Sequence, residues 1–290
     1  MRSVKPQLVI QGVGLAVLGL TLASCGEGVL SPRGSVGADE VTILYDATVI
    51  MLAVIVPVIV LILVFAWWFR AGNTRARYLP DWEYSGQIEM IVWSIPALVI
   101  VFLGGIAWIG SHKLDPSQPI ASPAAPLEVD VVSLDWKWLF IYPTQGVASV
   151  NRLVIEAGTP VRFRLTSASV MNSFFVPELG SQIYTMPGMT TQLNLRADQA
   201  GVFKGLSAQF SGDGFSDMGF EVAALPADQF AHWVETTKAQ GRALDPRSYG
   251  RLAQPSKAVE PATYAPVAEG LFEDISTGRA STDRTFEQEH

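Results

Sequence analysis

Two long stretches without an ionisable side chain decide what this chain can fold into. One runs from Ala47 to Phe69 and the other from Met90 to Ile109. Each is long enough to cross a hydrocarbon core, which takes about 20 apolar residues. In lipid every backbone polar group has to be satisfied within the segment, so both must be helices. We expect spanning helices over residues 47–69 and 88–110. Pro57 and Pro96 fall inside them, and Trp67, Trp68, Trp93 and Trp108 sit near their ends, where an interfacial aromatic belt belongs. Hydrophobic residues make up 49% of the chain and charged ones only 16%, a balance that these runs explain and a soluble domain would not.

The connecting loop, residues 70–87, fixes the orientation. It carries Arg70, Arg75 and Arg77 close together, and short loops rich in Arg or Lys stay on the cytoplasmic side. The segment before the first run, residues 25–46, holds Asp39, Glu40 and Asp46 against a single Arg33. The topology is therefore outside–inside–outside, and everything after residue 112 lies outside. The formal net charge of -7 and the lack of basic clusters exclude nucleic acid as a partner.

The first 24 residues have the layout of a secretory signal: Arg2 and Lys5, then an apolar stretch, then Leu22-Ala23-Ser24-Cys25. That last run resembles the lipobox of bacterial lipoproteins, which implies cleavage before Cys25 and acylation of it; a plain signal peptide with an incidental cysteine is the alternative. Cys25 is the only cysteine, so no intramolecular disulfide can form.

Beyond a Pro-bearing linker over residues 111–126, the pattern changes to period two. Leu127–Val131, Leu153–Glu156, Val161–Leu165 and Thr191–Leu195 alternate apolar with polar residues and are bounded by Gly, Pro and Asn. We read these as antiparallel strands with one buried face, forming a β sandwich or small barrel over residues 127–225. Residues 226–290 form a C-terminal arm, helical from Ala227 and again near Leu271–Ile275.

One carboxylate stands at the inner end of the second apolar run. Glu89 opens Glu89-Met90-Ile91-Val92-Trp93-Ser94-Ile95-Pro96. It is a functional-site candidate by its place in the membrane and equally a helix N-terminal charge favoured by the dipole.

Four segments together carry a resemblance: the Glu89–Pro96 run, the aromatic stretch Asp135-Trp136-Lys137-Trp138-Leu139-Phe140-Ile141-Tyr142-Pro143, the run Asn172–Gly180, and Met186-Pro187-Gly188-Met189. The chain resembles subunit II of the haem–copper respiratory oxidases, which implies a cupredoxin-like outer domain. In the cytochrome c oxidases of that family the domain holds a binuclear copper centre on two Cys, two His, a Glu and a Met. At the matching positions this chain has Asn172, Ser207, Gln209, Ser211, Phe215 and Met218. Thiolate-bridged copper needs thiolates, and His₂Cys blue copper needs imidazoles as well; the β domain has neither, so no metal is expected here, and Met218 is expected to be a core residue.

A ligand-free cupredoxin domain, a lipobox and the tail residues Tyr264-Ala265-Pro266 and Leu271–Ile275 are similar to the cytochrome bo-type ubiquinol oxidase branch. The resemblance implies a non-redox scaffold subunit in a proton-pumping complex of the bacterial inner membrane. Its large domain is periplasmic, its partners are subunit I and further subunits, its substrate is ubiquinol, and haem and copper reside in subunit I. It also implies that Glu89 lies at a proton entry. Trp136 and Trp138 match the family's electron-entry aromatics and are expected to be structural. A free-standing exported binding or sensor lipoprotein is the competing reading; it explains the anchor but not Glu89 or the ligand-free loop.

Overall fold

The computed structural model describes residues 28–77 and 79–280. The signal segment, Cys25 and the final residues to His290 lie outside them. The described residues form two units, residues 39–115 and the remainder.

In the first unit, helix α1 (Ser35–Trp68) and helix α2 (Gly86–Lys113) carry the apolar runs, with Pro57 and Pro96 inside them. Both are long and apolar enough to cross a membrane, and neither apolar window is buried within the chain. Helix α1 begins at Ser35, well ahead of the apolar run at Ala47. Once a helix is nucleated each further residue adds a hydrogen bond, so the polar stretch before Ala47 continues it. At about 1.5 Å per residue the whole helix is roughly 50 Å long, against a hydrocarbon core of about 30 Å. Asp39, in the surplus, pairs with Lys113 at 2.8 Å. One turn further in, a Cβ on Gly110 would lie 2.8 Å from Ile43 Cδ1, so glycine lets the two helices approach here without displacing that side chain. At the other end of α1, Asn73 Nδ2 donates to Trp68 O (2.6 Å) and Arg70 Nη1 to Trp67 O (2.9 Å), satisfying carbonyls the helix leaves free.

The second unit is a two-sheet sandwich. Its strands are β1 (Leu127–Leu134), β2 (Lys137–Tyr142), β3 (Val147–Val150), β4 (Arg152–Glu156), β5 (Val161–Ser167), β6 (Asn172–Phe175), β7 (Ile183–Thr185), β8 (Thr191–Leu195), β9 (Gly201–Ser207), β10 (Gly219–Leu225), β11 (Arg242–Leu244) and β12 (Ala262–Val267). Helices α3 (Ala227–Gln240), α4 (Pro246–Leu252) and α5 (Leu271–Ser276) belong to the arm. One sheet runs β11-β12-β3-β2-β1-β5-β8 and the other β4-β10-β9-β6-β7.

The expectation of purely antiparallel strands is corrected here. β1 pairs β5 in parallel, with Leu127 opposite Val161, and β4 pairs β10 in parallel, with Arg152 opposite Glu221. Such pairs join strands distant in sequence, and period two carries no information about partner direction. The expectation of one buried face also fails for the central strands. Leu127, Val129 and Val131 of β1 and Trp138, Phe140 and Tyr142 of β2 face the other sheet. Their neighbours Val132, Leu134, Leu139 and Ile141 are buried just as fully on the opposite side, under Leu244, Tyr249, Leu271, Phe272 and Ile275 of the arm. The arm therefore contributes two strands to the sheet and a second hydrophobic layer over its outer face.

Arg164 on β5 fastens α5 to that face. Its Nε and Nη2 donate to the two carboxylate oxygens of Asp130 at 2.7 Å each, and Nη1 donates to Glu273 at 3.1 Å. The guanidinium carbon lies 4.7 Å from the ring centre of Phe272. Burial pushes the Asp130 carboxyl up from its ordinary value and Arg164 partly offsets this. Residues up to Ala38, including the first turn of α1, belong to this second unit: Arg33 N donates to Glu178 O, Gly37 N to Leu179 O and Asp198 N to Arg33 O, at 2.7, 3.1 and 2.9 Å.

Phe272→Ala removes the ring on which Arg164 stacks and opens the outer layer. We expect it to destabilise the outer domain by about 3–5 kcal/mol, seen as a lower urea midpoint with an unchanged slope.

Candidate functional site

The residues at the positions of a lost metal centre gather at one end of the sandwich. Asn172 opens β6 and Ser207 closes β9, and these strands are antiparallel neighbours with Phe174 opposite Ser207. Ser207 Oγ donates towards Asn172 Oδ1 (3.1 Å) and lies 3.2 Å from Gln209 O, while Asn172 Nδ2 donates to Val170 O (3.2 Å). The loop then turns through Ser211, whose hydroxyl points at Met218 Sδ (3.8 Å). Met218 is 1% exposed and belongs to the inter-sheet core. Its carbonyl accepts from Ser207 N and from Trp138 Nε1, both at 3.3 Å. Gln209 enters this network through its backbone. Phe215 begins a short 3₁₀ turn and packs its ring on Phe210 at 5.6 Å, edge to face.

The two tryptophans differ in setting. Trp138 is fully buried, with ring contacts to Phe174 (5.5 Å) and Phe220 (5.6 Å). Trp136 is half-buried in the β1–β2 turn, with a backbone φ of 68°. Its indole nitrogen donates to Ser211 O at 3.0 Å, and its ring lies over Gly214, where a Cβ would come within 2.5 Å of it. The loop glycine at 214 is thus required by the close approach of an aromatic plane.

The donor set does not fit copper. The positions offer two hydroxyls, two amides, a phenyl ring and a thioether, and the hydroxyls are engaged with Asn172 and Met218. No thiolate or imidazole is among them, and soft copper centres depend on those ligands. Among the described residues no group of three or more His, Cys, Asp or Glu could hold a metal ion.

Glu89 lies apart from this cluster, exposed in the first turn of α2. Its N–H donates to the carbonyl of the N-cap residue Ser85 at 3.0 Å. The side chain of Ser85 caps nothing, and among the described residues the Glu89 carboxylate has no hydrogen bond or ion pair. A capping role for Glu89 would thus be limited to its charge acting on the helix dipole.

Sequence reasoning missed the contribution of the arm to this end of the sandwich. Lys137, buried at 1% exposure, reaches Gln254 O at 2.8 Å and Ser256 Oγ at 2.6 Å, and Lys257 Nζ lies 5.4 Å from the Trp136 ring centre. A lysine inside an otherwise apolar strand, Lys137-Trp138-Leu139-Phe140, is the one signal that a polar partner had to exist.

Residues 127–225 match the family described as cytochrome c oxidase subunit II, periplasmic domain, and residues 238–277 match the COX aromatic rich motif. The chain is 47% identical over 277 residues to the cytochrome bo(3) ubiquinol oxidase subunit 2 of Pseudomonas aeruginosa, covering 96% of this chain and 83% of that one. It is 49% identical over 259 residues to the ubiquinol oxidase subunit 2 of Acetobacter aceti, covering 88% and 84%. The periplasmic domain of subunit II of a cytochrome oxidase from Bradyrhizobium japonicum superimposes on 41% of this chain and 99% of its own, at 26% identity and a TM-score of 0.39. With relatives this similar matched over most of both chains, a ligand-free cupredoxin-like domain and two apolar helices, the chain belongs to the family of cytochrome bo-type ubiquinol oxidase subunit II.

Proposed function

We propose that this chain is the non-redox subunit II of a proton-pumping ubiquinol oxidase, seated in the bacterial inner membrane with its large domain in the periplasm. The observation that carries this is the cluster of Asn172, Ser207, Ser211 and Met218: a satisfied network of hydroxyl, amide and thioether where copper-bearing relatives use thiolate and imidazole. A donor dissolved in the membrane does not need a copper relay from a soluble protein, so such a domain can serve as scaffold and cap. The exposed apolar sides of α1 and α2 suit a many-helix partner, subunit I, which would carry the haem and copper where dioxygen is reduced. A tagged copy should co-purify with a multi-spanning haem protein and with ubiquinol-dependent oxygen consumption. Recovery of the chain alone from gently solubilised membranes would favour the lipoprotein reading instead.

Two finer assignments belong to the same reading. Cys25 is the mature N-terminus and carries lipid. Intact-mass measurement should show loss of residues 1–24 and an added acyl mass. Cys25→Ala should remain in the membrane, because two spanning helices anchor far more firmly than acyl chains. Glu89 gathers protons at the cytoplasmic face and passes them through water to subunit I. The carboxylate is exposed and free of local partners, and the Arg70–Arg77 loop marks its side of the membrane as the inner one. As a dipole-facing charge alone, Glu89→Gln would cost about 0.3–1 kcal/mol of local stability and leave turnover intact. As a proton collector, the same variant should assemble with a normal haem content and consume oxygen more slowly, at a rate less responsive to pH. Wild-type turnover at every pH would end the proton-entry assignment.

A further inference from the structure

The contacts of Lys137 point beyond the functions above. An ammonium has three N–H donors, and this one has three acceptors in reach: Asp135 O at 3.3 Å, Gln254 O at 2.8 Å and Ser256 Oγ at 2.6 Å. One acceptor is in its own turn and two are in the arm, more than a hundred residues away. Ser256 N donates back to Asp135 O at 3.3 Å. Three residues on, Val259 O accepts from Asn151 Nδ2 at 2.8 Å, and Asn151 Oδ1 in turn accepts from Trp138 N, also at 2.8 Å. The segment 254–259 is therefore fastened at one end to the β1–β2 turn and at the other to Asn151, between β3 and β4, which bonds on to Trp138 of β2, while Gln254, Pro255, Lys257 and Ala258 face solvent.

The turn held in this way is the one that carries Trp136. On its other side it reaches both loops of the cluster. Trp136 Nε1 bonds Ser211 O and its ring covers Gly212 and Gly214. The Asp135 carboxylate accepts a hydrogen bond from Ser169, in the loop that leads to Asn172. Ser167 Oγ and Asn172 Nδ2 both bond Val170 O, closing that loop.

We propose that residues 254–257 act as a strap: by engaging Lys137 they hold Trp136 down on the 211–214 loop and so set the shape of the whole Asn172–Ser207–Met218 end of the domain. The Lys137 site suits this role. Buried as it is, its ammonium is stable only while the strap supplies acceptors, and burial already lowers its pKa. Strap and turn therefore hold or release together, and the exposed arm is the side from which release can start.

The test is amide hydrogen exchange, followed by mass spectrometry, on the purified membrane complex carrying Lys137→Met. Peptides covering residues 134–138 and 208–216 should exchange about tenfold faster or more, since each factor of ten corresponds to 1.4 kcal/mol of local opening. Peptides from β4 and β5 should keep their wild-type rates, which separates strap release from general loosening. Ser256→Ala removes one acceptor from an accessible position and serves if Lys137→Met does not assemble; it should show the same pattern to a smaller degree. The proposal is overturned if residues 254–257 become faster in either variant while 208–216 do not, or if every strand of the domain accelerates equally.

Discussion

The central strands β1 and β2 of the seven-stranded sheet are buried on both faces, and the rest of the outer domain depends on that. Val129 and Val131 point into the inter-sheet core while Val132 and Leu134, on the same strand, point under the arm. A cupredoxin-type sandwich ordinarily leaves its outer faces to water, with polar side chains there. Here the outward positions include Val132, Leu134, Leu139 and Ile141, each worth about 1.5–3 kcal/mol when covered, so the domain requires the arm. The clamp of Arg164 between Asp130, Glu273 and Phe272 supplies the direction that apolar packing lacks. It fixes where α5 lies, and the chain leading to α5 has to pass the β1–β2 turn on its way.

The ligand-free end of the sandwich follows a different rule. Hydroxyl and amide groups buried there would each cost about 1–3 kcal/mol if left unpaired. The hydroxyls of Ser207 and Ser211 and the amide of Asn172 find partners among themselves and with Met218 Sδ and Val170 O. Trp138 and Phe174 fill the space behind, in edge-to-face contact at 5.5 Å. What the cluster offers is a polar network of hydroxyl, amide and thioether without thiolate or imidazole, in keeping with a structural part in an oxidase whose donor arrives through the membrane.

The helical unit works by contrast through what it leaves uncovered. Its two helices meet at Asp39–Lys113 and at Gly110–Ile43, and their apolar windows remain open to lipid or to partner helices. Glu89, exposed in the first turn of α2, belongs to that open surface rather than to any internal network.

The sequence by itself determined whatever rests on local period and residue chemistry. The charge-free runs gave the helices that contain Pro57 and Pro96. Strict alternation placed β8 at Thr191–Leu195 and the start of β5 at Val161, and Ala227 and Leu271 were legible as helix starts. The lack of thiol and imidazole in the β domain was readable without any coordinates. Only the tertiary structure decided which strands run parallel, that β11 and β12 complete the first sheet, and that the arm covers its outer face. It alone also joined Lys137 to Gln254 and Ser256, and Trp136 to Ser211. These are contacts between residues tens to more than a hundred positions apart. A period of two or 3.6 reports only which side of an element is apolar, and what comes to cover that side is settled by the packing of the whole chain.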